Sequence, residues 1–153
     1  RLIDMETEPF LLVSTVEVII AQRLVRQLCS VKEKYFLKTK EVDMLSQKIN
    51  LDKVLAALKE EKIVPEKATW EKIPFYRPKK SAECEDGYQG RRGIIEVLKV
   101  TTTIKDIILR GGTMDQIEEQ AKKEGMMTMI EDGVFKAAAG TTTIEEVLRV
   151  VSE

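Results

Sequence analysis

Along much of the chain, apolar residues return every three or four positions, which is the spacing of one helix face. Val13, Val16, Ile20 and Leu24 keep that spacing, and Pro9 suits a first helical turn, so a helix is predicted from about Phe10. Its far end stays open, because the pattern runs to Cys29 while Leu24-Val25-Arg26-Gln27-Leu28 reads equally as a short strand. Val42, Leu45 and Ile49 mark a second helix, and Leu51, Val54, Leu55 and Leu58 a third with Asn50 as its N-cap. Pro65, Pro74 and Pro78 then fall beside Trp70, Phe75 and Tyr76, which predicts a loop or an edge strand. The β-branched run Gly93–Val100 follows a Gly-rich turn and reads as a buried strand that needs a partner.

From Thr101 onward, start and stop signals define four short helices. Thr103 precedes Ile104, Ile107 and Ile108, with Asp106 three residues on and Gly111-Gly112 as the stop. Thr113 and Gln116 form a capping box for Met114, Ile117 and Ala121, which ends at Gly125. Thr128 with Glu131 opens a helix carrying Ile130, Val134 and Ala138, and Thr143 with Glu146 opens one carrying Ile144, Val147, Leu148 and Val151. The fold class is therefore α+β, mainly α-helical, with short antiparallel strands and a C-terminal cluster of four short helices. Thr101–Ile104 and Thr141–Ile144 are the same tetrapeptide, but one recurrence is two similar caps rather than a repeat array.

Composition narrows the function. At 153 residues and 43% hydrophobic, the chain has enough apolar material for one domain with an insert. Lys+Arg number 25 and Asp+Glu 26, a net charge of −1, so no global field selects nucleic acid or anionic membrane. The average hides a split: residues 31–80 carry thirteen basic and eight acidic side chains, residues 106–153 five and ten. No histidine exists, which removes His general bases, His metal sites and His pH switches. The apolar stretch 10–21 is interrupted by Ser14, Thr15 and Glu17 and is too short to span a membrane. Arg1-Leu2-Ile3-Asp4-Met5 reads like the inside of a helix with no cap before it, an expectation that the chain is part of something longer.

Candidate chemistry is sparse. Neither Gly90 nor Gly111-Gly112 stands in a phosphate-cradling Gly-Lys-Ser/Thr context, so no nucleotide site and no catalytic activity are expected from this chain alone. Glu118, Glu119, Glu131, Asp132, Glu145 and Glu146 read as solvated faces and caps. Cys29 and Cys84 are two possible zinc ligands without the other two, and read instead as free thiols in a chain whose low cysteine use fits a reducing compartment. Arg23, Arg26, Arg91 and Arg92 flank the proposed strands and would converge on a phosphate or carboxylate if those strands pair; ordinary surface arginine is the equal alternative. Met126, Met127 and Met129 read as core, and the lysines interleaved with Trp70, Phe75 and Tyr76 offer only a weak argument for single-stranded nucleic acid.

A family resemblance rests on particular runs: Arg1–Met5, Glu8-Pro9-Phe10, Ala21–Cys29, Gly87–Ile94, Glu124-Gly125-Met126, Glu131-Asp132-Gly133 and Ala139–Val150. In order and spacing these resemble the C-terminal part of the type II secretion and type IV pilus assembly ATPases. The resemblance covers about 1–29 and 87–152 and leaves 30–86 as an inserted subregion. It implies a C-terminal subdomain, built from 1–29 and 87–153, of a cytoplasmic ATPase that acts as a homo-hexamer on an inner-membrane platform protein, with no transmembrane segment of its own. ATP and magnesium would belong to a core that precedes Arg1. Arg23, Arg26 and Arg91 match the family's Ala-Gln-Arg-Leu-Val-Arg and Gly-Arg runs and are the expected core or interface contacts. Family members carry two Cys-x-x-Cys zinc pairs in the insert. Here Cys29 matches the first cysteine, Lys32 replaces the second and Cys84 lies near the last, so the site is degenerate and no metal is expected. The competing class is a stand-alone helical interaction adaptor with no ATPase role.

Overall fold

The computed structural model describes residues 8–152. Among them are α1 (Pro9–Thr15), β1 (Val18–Leu28), β2 (Lys32–Phe36), α2 (Thr39–Ser46), α3 (Leu51–Glu60), a 3₁₀ turn at Trp70–Lys72, β3 (Pro74–Pro78), β4 (Tyr88–Lys99), α4 (Thr102–Leu109), α5 (Met114–Lys123), α6 (Met129–Ala138) and α7 (Ile144–Ser152). The class is α+β. The strands pair as β1 with β4 and β2 with β3. In the second pair Lys32 faces Pro78 and Phe36 faces Pro74, antiparallel. Backbone bonds from Val100 to Glu17 (2.8 Å) and from Cys29 to Gly87 (3.1 Å) frame the ends of the first pair, which makes it antiparallel too.

Three local expectations change. The helix near Phe10 stops at Thr15, where the Ser14 and Thr15 hydroxyls both donate back to the Leu11 carbonyl. Val16 is already extended, and the β-branched Val18-Ile19-Ile20 begins an eleven-residue strand, so Ile20 and Leu24 belong to β1 and not to a helical stripe. The α4 cap is Thr101, whose hydroxyl accepts from the Ile104 N–H at 3.3 Å, rather than Thr103. β2 was not foreseen, because Lys-Glu-Lys-Tyr-Phe carries too few apolar residues to signal a strand. Asn50 caps α3 through the Lys53 N–H, and the Thr113–Gln116 capping box closes as read.

Two compact units result. The first joins the residues up to Ala21 with Glu96–Thr128. Its buried cluster is Val100, Ile104 and Ala121, with Leu98, Ile108 and Ile117 packed around them. Gly111 at φ +69° lets the chain turn between α4 and α5, where an L side chain would be strained. The second unit joins Gln22–Ile95 with the chain from Met129 onward. Leu45, Val54, Leu58, Ile73, Phe75 and Val134 lie in its main core, and Val25, Ile94, Val147 and Val150 form a smaller one. All of 30–86 falls in this second unit, and the four tail helices divide as pairs, α4 and α5 in the first and α6 and α7 in the second.

The cysteines also depart from expectation. Cys29 and Cys84 are joined as a disulfide with Cα atoms 6.7 Å apart, so they are not free thiols. The cause is topological: Cys29 follows β1 and Cys84 precedes β4, and the pairing of those strands brings the two ends of the insert together.

Candidate functional site

Within the second unit, the end of β1 and the start of α7 build a charged node. The Arg26 guanidinium donates to Glu146 Oε1 at 2.6 Å, and the Arg26 backbone N–H donates to Oε2 at 3.2 Å. Arg149, one helical turn along α7, adds bonds of 3.2 Å from Nε and 3.0 Å from Nη2 to the same carboxylate. The Glu146 side chain is only 3% exposed. Two arginines thus satisfy one buried charge, which is the condition under which such a charge is tolerated. Bonding to Arg26 first, and to Arg149 in addition, holds the Glu146 carboxyl down at about 2, against the opposing pull of burial. The same bond raises the Arg26 guanidinium.

The tripeptide Thr141-Thr142-Thr143 seats this node. Thr143 Oγ1 accepts from the Glu146 N–H at 3.1 Å, capping α7. Thr142, fully buried, donates its hydroxyl to the Arg26 carbonyl at 2.8 Å, and the Thr141 carbonyl accepts from the Leu28 N–H. Above Arg26, the Tyr88 ring lies 4.2 Å from the guanidinium carbon, and Asp86 stands at 3.7 Å.

Of the arginines singled out from sequence, Arg23 donates to the Val150 carbonyl and Arg26 grips Glu146, so both hold α7. Arg91 and Arg92 are exposed and make none of these contacts. The guanidinium that completes the node is Arg149, which sequence reasoning missed. Glu131 and Glu146 overturn the solvated-face reading, since both are buried. Glu131 accepts from the Asn50 N–H at 3.0 Å, tying the α3 cap to α6. Asp132 also turns inward, accepting from the Ile95 N–H at 2.7 Å and from Lys136 at 2.5 Å. The readable signal was register: Glu146 falls three residues after Thr143 and four before Val150, on the inner face of α7.

Among the described residues no group of three or more Cys, Asp or Glu side chains is placed to hold a metal ion. Cys29 and Cys84 spend their sulfurs on each other, and Lys32, in the place of a ligand, donates to the Gly140 carbonyl at 2.5 Å over the Tyr76 ring. At the start of α5 the Thr113–Gln116 box engages the Thr113 and Gln116 N–H groups. Trp70 and Phe75 stack at 6.4 Å within the core, which removes their faces from any base-stacking role.

The first unit has a different character. Leu12, Ile19, Leu98, Ile108, Ile117 and Met126 line an apolar cavity of about 550 Å³. Phe10, Leu11, Ile19 and Ile20 are large apolar side chains left exposed.

Comparison with known proteins places the whole chain in one context. Residues 1–149 match the family described as Type II/IV secretion system protein, a match that runs through 30–86. Type II secretion system protein E of Xanthomonas campestris is 38% identical over 154 residues, covering 100% of this chain and 24% of that protein. Type IV pilus assembly ATPase PilB of Pseudomonas aeruginosa is 36% identical over 153 residues, covering 100% of this chain and 24% of its own length. The PilB of Thermus thermophilus is 32% identical over 97% of this chain and 15% of its own length. The chain therefore spans about a quarter of the first two relatives. No helix among the described residues is long and apolar enough to cross a membrane.

Proposed function

Because this chain belongs to the Type II/IV secretion system protein family, we propose that it is the non-catalytic C-terminal subdomain of a hexameric secretion or pilus assembly ATPase. In this reading it packs subunits and docks the ring, while a core outside residues 1–153 binds ATP and magnesium and hydrolyses the nucleotide. The parent works at the cytoplasmic face of the inner membrane, held there by a platform protein.

The observation that carries the reading is the apolar face of the first unit. Phe10, Leu11 and Ile20 are exposed, and Leu12, Ile19 and Leu98 line a cavity of about 550 Å³, so this unit offers apolar surface that gains stability when another protein surface covers it. The charged node complements it: a carboxylate gripped by two arginines and capped by its own helix is built to hold α7, not to move protons. Arg91, exposed and outside the node, suits a contact with a neighbouring subunit.

The test uses the full-length parent. Ile20→Glu and Arg91→Ala should each lower the hexamer fraction in sedimentation and reduce ATPase activity in step with it. Full-strength hexamers and unchanged ATPase activity in both variants would overturn the reading.

A further inference from the structure

We infer that Cys29 and Cys84 form a thiol-switchable clip, which fastens the loop 79–87 to the end of β1 and sets how firmly the neck of the insert is held. Both cysteines are buried, at 3% and 5% exposure, and they are the only two thiols of the chain. Within 79–87 the exposed positions are Lys79, Lys80, Ala82, Glu83, Glu85 and Asp86; Cys84 and Gly87 alone are buried, and Gly87 has no side chain. The loop thus has one buried side-chain anchor, and that anchor is the disulfide.

Its other ties are soft. Ser81 and Cys84 exchange backbone bonds with each other, which shapes the loop without attaching it. Outward, the Cys29 N–H donates to the Gly87 carbonyl at 3.1 Å, and Asp86 meets Arg26 at 3.7 Å with both side chains about half exposed. Tyr88, next along the chain, lies over Arg26. Release of the loop therefore loosens the outer partners of Arg26 while Glu146 keeps its grip from below.

Burial couples the chemistry to this motion, because a reductant reaches the sulfurs only when the loop lifts. The reductant is a dithiol. One of its thiolates attacks a cysteine sulfur to form a mixed disulfide and releases the other cysteine as a thiolate. Its second thiol then displaces the remaining cysteine. Two electrons and two protons pass to the protein, and the dithiol leaves as a cyclic disulfide. Oxidation by a disulfide runs the same steps backwards, and no third thiol in this chain diverts them.

The test is made on the full-length protein equilibrated in buffers of reduced and oxidised dithiothreitol. Differential alkylation read by mass spectrometry should show the Cys29 and Cys84 peptides becoming reactive together. Trypsin cleavage after Lys79 or Lys80 should accelerate about fivefold on reduction, while cleavage at Lys122–Lys123 in the first unit stays constant. Cys84→Ser should be cut at the fast rate in both buffers, and the wild-type comparison stands without it if that variant fails to fold. Alkylation of both cysteines in the oxidised protein, equal cleavage rates in the two buffers, or one zinc retained per reduced chain would each overturn the inference.

Discussion

Glu146 holds a negative charge where water is nearly absent, so its ionisation is tied to the fold. An unfolded glutamate titrates near ~4.3, whereas this one is held at about 2. A depressed carboxylate stabilises above its unfolded value and ceases to do so as pH falls through the folded one. The node should therefore contribute on the order of 3 kcal/mol at neutral pH, withdrawn from about pH 5 down to pH 2. Urea unfolding across that range reads it directly. Glu146→Gln should be less stable at pH 7 and lack this acid limb; an unchanged limb would assign the titration to another group. Residues whose partners lie close in sequence were legible beforehand, as the Thr113–Gln116 box and the Asn50 cap demonstrate. Arg26 and Glu146 are 120 residues apart, and no local pattern announces a bond over that distance.

At the scale of elements, α6 and α7 meet at Gly133. A Cβ there would collide with the Val147 side chain, so the glycine is a packing requirement rather than a conformational one. Gly133→Ala should cost about 1–3 kcal/mol in chemical denaturation, and adding Val147→Ala should not double the loss, because the second truncation opens the space the first one needs. The cysteine link offers a second measure. Closing a loop between positions 55 residues apart restricts the unfolded chain by about 4 kcal/mol on the chain-entropy model. Cys29→Ser should lose a large part of that under oxidising conditions and little under reducing ones. Element boundaries were legible where apolar spacing agreed with a cap, as in α3 and α5. They failed at α1, where β-branched residues satisfied helical spacing yet paired as a strand, and at β2, whose polar residues gave no signal.

For the whole molecule, the two units differ in how much they bury. Among the described residues the first unit's cluster has three buried members, while the main core of the second has thirteen. Local opening should follow that difference. In native-state hydrogen exchange, amides of α4 and α5 should exchange faster than those of α6 and α7. Uniform protection along all four helices would contradict it. From sequence the four helices looked alike, because each carries its own cap and stripe. Their division into pairs depends on where the strand ribbon leads the chain, which periodicity does not encode.

The bonds that seat α7 also order events in time. Arg23, Arg26 and the Arg26 carbonyl find their partners 127, 120 and 116 residues further along the chain. While the ribosome is still making the insert, β1 has no α7 to hold, and Val25 has no Val147 or Val150 to cover it. The second unit can close only once its last helix has emerged. Until then the nascent chain carries an unfinished edge that a chaperone is suited to shield.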